Sequence, residues 1–379
     1  MTDKEIEKYV GDAVELLKRL IATPRVSRDE TAAADIMEQT MRQYGFQPER
    51  KGNNLWICSD GWDDDVPTIM LNAHIDTVKP VATWTRDPFM PTQEDDRLYG
   101  LGSNDCGGGL VSLLQVFRYL TAPQTYEAEQ SKGGAERRYN LVYLASCEEE
   151  VSGIGGIRSV LADTTLAELI DKAKNGAGIV AVVGEPTGMQ PAIAERGLMV
   201  IDGTAHGKSG HAARNEGVNA IYEALDDLVF IRDYKFEKVS DLLGPTKMQC
   251  TVVNSGTQHN VVPDECRFII DVRTNEHYTN EDVFAFLQSR LHSEIKARSF
   301  HLHSSSISRE HPLVKRCIEM GMTPFGSPTL SDQALMRFPS FKFGPGESSR
   351  SHSADEYICI SEIRDAITKY VALLSAHIY

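Results

Sequence analysis

Several features that would place the chain outside ordinary globular proteins are scarce or missing. Its 379 residues include only seven cysteines, at positions 58, 106, 147, 250, 266, 317 and 359. None lies in a C-x-x-C pair and at least one must stay unpaired, which argues against a disulfide framework or a cysteine-based zinc site and suits a reducing cytoplasm. No apolar run approaches the ~20 residues that a bilayer span needs. Basic residues are short as well: 39 Lys and Arg stand against 54 Asp and Glu, a formal charge of −15. Such a chain is repelled by nucleic acid and by anionic membrane surfaces, and no basic run offsets the repulsion. Neither partner is expected. The opening stretch, "MTDKEIEKYVGDAVELLKRLIA", lacks the basic start and unbroken apolar core of a secretory signal. It reads as an amphipathic helix with Ile6, Tyr9, Val10, Ala13, Val14, Leu17 and Leu20 on one face.

What is present is an α/β texture. The length suits two domains at about 150 residues each. After the turn "TPRVSRDE", Ser27 and Glu30 have the spacing of a capping box, opening a helix that runs to about Tyr44. The apolar runs "NLWICSD", "TIMLNAHID", "NLVYLASC" and "GIVAVVGE" then alternate with helical patterns such as "LVSLLQVFRYL" and "GGIRSVLAD". Alternating strands and helices predict a sheet with a largely parallel core. The polar, aperiodic stretch 121–138 reads as an exposed loop. From about Glu195 the order becomes β-α-β-β-α, most of a ferredoxin-like unit, and after about Ser305 the α/β texture returns. The expected architecture is therefore a catalytic α/β domain built from residues 1–194 and 306–379, interrupted by an α+β insert over 195–305.

Chemistry-bearing residues gather at expected strand ends. "LNAHIDTVKP" puts His74 and Asp76 on one side of an extended chain, a pair that alone is more often a surface or capping feature than a metal site. Asp105 lies in the glycine-rich turn "LYGLGSNDCGGGL", where an isolated aspartate is as readily a solvated turn residue. "LVYLASCEEE" closes a very apolar strand with Glu148, Glu149 and Glu150, three like charges that need a cation or raised pKa values unless the loop is simply solvated. "IVAVVGEPTG" ends at Glu185, and His352 sits in the Gly/Pro-rich "KFGPGESSRSHSADEYI". Carboxyl ends of strands are where active groups of open α/β sheets lie. Two histidines with three or four carboxylates suit a pair of divalent cations such as zinc. One carboxylate bridges, each ion takes one His and one further carboxylate, and a Glu remains as base. Two such ions about 3.5–4 Å apart activate water and polarise a carbonyl together. His74 then reads as a ligand, with Asp76 fixing its tautomer.

These stretches, with "WTRDPFMP", "GKSGHAARNEGVNAI" and "NVVPDECRFIIDVR", occur in the order found in a known family. The chain resembles the co-catalytic di-zinc metallopeptidases that include acetylornithine deacetylase, succinyl-diaminopimelate desuccinylase, aminoacylase and carboxypeptidase G. The resemblance implies His74, Glu185 and bridging Asp105 at one ion, and His352, Glu150 and Asp105 at the other. Zn2+ is the implied metal, with Co2+ as the alternative. It implies Glu149 as general base, Asp76 as the residue orienting His74, and the insert as a dimerisation domain. His211 would reach the partner subunit's site to steady the oxyanion, and Asn260 and Arg273 would bind the substrate carboxylate. For these insert residues, hydrogen bonding within the sheet is the alternative.

Two departures stand out. The usual G-R-G-x-x-D-x-K-G-G has Leu101 and Gly107 in place of Arg and Lys, and the usual D-E-E is E-E-E, aligned here with Glu148 at the Asp. The implied activity is a cytoplasmic amidohydrolase acting on a small N-acyl amino acid. N-acetylornithine, or an N-acetyl- or N-succinyl-citrulline, is the expected substrate, in arginine biosynthesis. A desuccinylase, dipeptidase or carboxypeptidase is the alternative. A scaffold that had lost the chemistry would be expected to lack ligands or base, and all are present.

Overall fold

The computed structural model describes residues 1–122, 139–214 and 216–378. Most of the loop expected over 121–138 therefore lies outside the described residues. Two compact units are distinguished: Met1–Ile193 with Ile307–Phe325 and Ser331–Tyr379, and Ala194–Ser306 with Gly326–Leu330.

The first unit is built on a mixed sheet. Its strands run in the order Glu49–Lys51, Asn54–Cys58, Asn140–Ser146, Thr68–His74, Ile179–Val183, Ser340–Lys342 and Ala192–Glu195. The four from Asn140–Ser146 to Ser340–Lys342 are mutually parallel, and the flanking pairs are antiparallel. Every residue of Thr68–His74 and Asn140–Ser146 is buried. Strands covered on both faces favour apolar side chains on both, which is why these segments read as near-continuous apolar runs and not as alternations. On one face Met70, Val142, Leu144 and Ala181 pack against Ile157, Val160, Leu166 and Ile170 of the helices Ile157–Ala162 and Thr165–Asn175. On the other, the helices Asp3–Ile21, Gly108–Leu120 and Ile360–Ile378 pack on one another, and Tyr143 donates to the Leu110 carbonyl (3.0 Å). Leu17, Leu113 and Leu373 are wholly buried there, each contributing about 1.5–3 kcal/mol relative to exposure.

The first helix starts on a capping box of Thr2 with Glu5 and ends with Lys18 and Arg19, charges that complement its dipole. The second helix, Thr31–Gln43, corrects the sequence reading. Glu30 is its cap residue and no side chain caps it. Ser27 is drawn elsewhere: residues 25–27 are extended and pair with Thr77 through Thr77 N to Arg25 O (2.9 Å) and Ser27 N to Thr77 O (3.1 Å). That pairing puts the Ser27 hydroxyl 2.6 Å from Asp76 Oδ2, and a charged acceptor is a stronger partner than a helix amide.

The second unit contains Met199–His206, Ala220–Asp233, Lys247–Ser255, Glu265–Arg273, Asn280–Gln288 and Glu294–Ala297, in the order β-α-β-β-α-β. Its sheet order is Lys247–Ser255, Glu265–Arg273, Met199–His206, Glu294–Ala297, with every neighbour antiparallel. This is the ferredoxin-like arrangement, completed by a fourth strand that the sequence pattern did not reveal. Ile201, Phe268, Ile270 and Val272 pack against Ala220, Ala224, Val283 and Leu287 of its two helices. Among the described residues of the chain, no helix is long and apolar enough to cross a membrane.

Candidate metal centre

Because four neighbouring strands of the first unit run parallel, their carboxyl ends share one edge. Thr68–His74 ends on His74, Asn140–Ser146 leads into Glu148–Glu150, Ile179–Val183 into Glu185, and Ser340–Lys342 toward His352. Asp105 comes from the turn ahead of the helix Gly108–Leu120. The structure brings these groups together. His74 Nε2 lies 3.2 Å from Asp105 Oδ1 and 3.5 Å from Glu185 Oε1. His352 Nε2 lies 3.6 Å from Asp105 Oδ2 and 2.9 Å from Glu150 Oε2. Asp105 thus offers one oxygen to each imidazole, with a second carboxylate beside each.

The tautomer of His74 follows from its other nitrogen. Nδ1 is 2.9 Å from the Asp76 main-chain carbonyl. A carbonyl only accepts, so Nδ1 carries a proton, and Nε2 is the nitrogen that would face a cation. The Asp76 carboxylate is farther away, 3.6 Å at Oδ1. The sequence reading expected that carboxylate to orient the ring; the closer contact is its backbone carbonyl. The carboxylate instead accepts from Ser27 Oγ and from the amides of Glu149 (3.1 Å) and Glu150 (3.2 Å). It fixes the loop that carries both glutamates.

Among the three consecutive glutamates, Glu148 has left-handed backbone (φ 53°) and its carboxylate accepts from Gly155 N at 3.2 Å. Glu149 faces the cluster: burial drives its pKa well up, and the charges of Glu185, Asp332 and Glu150 add to that, against the opposing pull of His74. Glu185 is pushed up to about 8 by burial and by Asp105. The hydrogen bond to Glu150 lifts His352 to about 9. The cluster is thus a set of carboxylates and imidazoles that retains protons where cations would relieve the repulsion, and ligand deprotonation is what metal binding demands. The donor set fits divalent cations. Ligand atoms of His74, Asp105 and Glu150 lie within 4.8 Å of one another, as do those of His74, Cys106 and Glu185. Cys106 has no place in the ligand set read from the sequence. Its Sγ donates to the Gly184 carbonyl (3.5 Å), and burial pushes the thiol well up, so it stays protonated.

Supporting residues escaped the sequence reading. Glu356 is buried and accepts from the amides of Gly102, Asn104 and Asp105, all at 2.8 Å, so it shapes the Asp105 turn. Asp332 accepts from Ser146 Oγ at 2.5 Å and is raised to about 6 by burial. Arg25 is buried beneath the same turn. None sits in a pattern that marks it locally; the acidic pair Asp355–Glu356 beside His352 was the only hint.

The other predicted residues belong to the second unit. His211 is exposed on a two-residue strand paired with Val261–Val262, and Ala212 N donates to the Asn260 carbonyl at 3.1 Å, so His211 and Asn260 are neighbours. His211 Nδ1 accepts from Ala213 N (3.2 Å), which leaves Nε2–H as a donor. Arg273 uses its fork on Asp271, with Nε and Nη2 at 2.8 and 3.0 Å from the two carboxylate oxygens.

A mixed α/β sheet with an acid-imidazole cluster at its strand ends defines a metallopeptidase-like hydrolase. Residues 70–376 match peptidase family M20/M25/M40. The chain belongs to that family and is a hydrolytic enzyme acting on amides. It is 26% identical to acetylornithine deacetylase of Proteus mirabilis over 381 residues, covering 91% of each chain. It is likewise 26% identical to succinyl-diaminopimelate desuccinylase of Verminephrobacter eiseniae over 318 residues, covering 76% of this chain and 74% of the other. Its fold is shared with a dinuclear metal-binding peptidase of the M20 family from Bacillus subtilis. That match has a TM-score of 0.67 at 16% identity and covers 98% of this chain and 100% of the other.

Proposed function

We propose that the enzyme removes the N-acyl group of an amino acid, with N-acetylornithine or an N-acetyl- or N-succinyl-citrulline as substrate, in a cytoplasmic step of arginine biosynthesis. The observation that carries this reading is Asp105 between two imidazoles, with Glu149 beside them. Two divalent ions, Zn2+ or alternatively Co2+, would be held by His74, Asp105 and Glu185 and by Asp105, Glu150 and His352. When bound, they supply an activated water and a polarised amide carbonyl. Glu149 takes the proton of the attacking water and hands it to the leaving amine. As a carboxylate it does the first task, and the carboxyl so formed does the second.

The ornithine assignment is supported by the deacetylase relative, which is matched over nearly its whole length; the desuccinylase relative supports the second reading. A panel of N-acetyl and N-succinyl derivatives of ornithine, citrulline, diaminopimelate and neutral amino acids separates them. Fastest turnover is expected on an acylated ornithine or citrulline. Faster cleavage of free dipeptides than of every N-acyl amino acid would overturn the assignment.

We further assign residues 195–305 as the dimerisation domain, with His211 acting in the partner's site. The helix Ala220–Asp233 exposes Ile221, Tyr222, Leu225 and Val229, and the edge strand Lys247–Ser255 exposes Val252 and Val253. An open edge and an apolar helix face suit a two-fold contact. Asn260 and Arg273 are assigned to the substrate carboxylate. Arg273→Ala is then expected to raise KM for an N-acyl amino acid by about 10- to 100-fold, the loss of a charged hydrogen bond. The matching methyl ester should be little affected. Equal penalties for acid and ester would leave Arg273 as the brace of Asp271 alone.

A further inference from the structure

We propose that Arg25 is a positioning residue of the metal centre, an internal cation that keeps the Asp105 turn seated against the end of the His74 strand when no metal ion is bound. The proposal rests on reading the cluster as a metal centre. Arg25 is only 2% exposed. One guanidinium nitrogen, Nη1, donates to the carbonyl of Ile75 (2.5 Å), the residue after His74. The other, Nη2, donates to the carbonyl of Gly102 (2.8 Å), at the start of the turn that carries Asp105. Its own backbone is fixed by Thr77 N, which donates to the Arg25 carbonyl. The guanidinium is therefore a rigid spacer between two ligand-bearing segments.

Two glycines lie against it. At Gly102, where φ is +71°, a Cβ would come within 2.6 Å of Arg25 Nη2. At Gly107 it would come within 2.3 Å of the Gly102 carbonyl and 3.2 Å of the same Nη2. Gly107 is one of the two positions where the turn departs from the usual pattern and carries no cation. Here the positive charge beneath the turn comes from Arg25.

Among the described residues, the guanidinium meets no carboxylate at ion-pair distance, and its Nε has no partner. An unpaired buried charge is costly unless something compensates it. Burial works against it, and the charges of Glu356, Asp76 and Asp105 act in its favour. An arginine stays charged in such a setting. The compensation is reciprocal, since the same charge relieves the repulsion among the carboxylates. Bound divalent ions supply positive charge to that same cluster, so Arg25 and the ions compete for one electrostatic role. A preassembled metal-free site is the gain, and weaker ion binding is the consequence.

Arg25→Met, similar in length and uncharged, separates charge from packing; Arg25→Lys keeps the charge. Melting temperatures are compared with and without Zn2+, and Zn2+ affinity is measured by chelator competition. Arg25→Met is expected to lower the melting temperature of the metal-free protein by several degrees and that of the loaded protein by less than half as much. By linkage, Zn2+ then binds about tenfold more tightly. Arg25→Lys should keep the wild-type difference between the two forms and the wild-type affinity. Equal destabilisation of both forms with unchanged affinity overturns the proposal, as does a Lys variant that behaves like Met. If Arg25→Met accumulates only with metal present while Arg25→Lys accumulates without it, the expected result holds in its limiting form; failure of both without metal overturns it. A wild-type protein that binds no Zn2+ would instead sink the metal-centre reading itself, a failure visible before any variant is made.

Discussion

Glu149→Gln is expected to lose about 10²- to 10⁴-fold in kcat, the usual contribution of a general acid–base group, while keeping the metal content of the wild type. The amide cannot take a proton from water or return one to the leaving amine, yet Glu149 has no part in the proposed ligand set. Its amide still donates to Asp76, and that contact is made by the backbone, so the substitution leaves the loop anchored. Rate and metal content must be measured together. Glu148→Gln is the control: with its carboxylate on Gly155 N, it should stay near wild-type activity. A dead Glu148→Gln beside a healthy Glu149→Gln would shift the assignment by one residue. The same Glu149 variant also tests the shared site. In a dimer mixing Glu149→Gln with His211→Ala, one site carries both lesions and the other neither if His211 acts across the interface. Both parent homodimers should be nearly inactive, and a real fraction of wild-type activity should return in the mixture. Mixed dimers that stay at the level of inactive parents would place His211 in its own chain's site, and an active His211→Ala homodimer would place it outside the reaction.

Asp105→Ala should fail in a different way. One carboxylate stands between both imidazoles, with Oδ1 toward His74 and Oδ2 toward His352. On the proposed ligand set, removing it takes a ligand from each ion at once. Partners that merely orient ligands cost about 10- to 100-fold in metal affinity when removed, so the loss here should exceed that for both ions. Excess Zn2+ should restore little activity. The turn itself keeps its amide bonds to Glu356 from Gly102 and Asn104, so the variant should fold. Circular dichroism and a melting curve check that point, and metal analysis checks the rest. Full occupancy by two ions in Asp105→Ala would remove Asp105 from the centre.

The parts of this site that were legible in the sequence share one physical cause. Strands buried on both faces carry few polar side chains and no charged ones before they end, so His74, Glu185 and the three glutamates interrupt apolar runs visibly. Asp105 was marked by the glycines around it. The illegible parts act through backbone groups distant in sequence. Arg25 reaches carbonyls 50 and 77 positions away, and Glu356 reaches an amide 252 positions away. No local period records such a contact. Ser27 was misread for the opposite reason: a strong local pattern, the capping box, was overridden by a charged acceptor 49 residues on. In the second unit, Glu294–Ala297 has only four residues, two of them charged, too few to display a period of two. His211, Asn260 and Arg273 are reached through the resemblance alone; no local pattern marks them, and the Arg273 fork lies on Asp271.

Glu356 has a further consequence for how the enzyme is made. His74, Asp105, Glu150 and Glu185 all leave the ribosome before His352 and Glu356 are synthesised, by about ten seconds or more at ordinary elongation rates. During that interval the nascent chain has neither the second imidazole nor the carboxylate that gathers the amides of the Asp105 turn. On the proposed ligand set, the site of the second ion is complete only once the segment bearing His352 and Glu356 has been made and has docked.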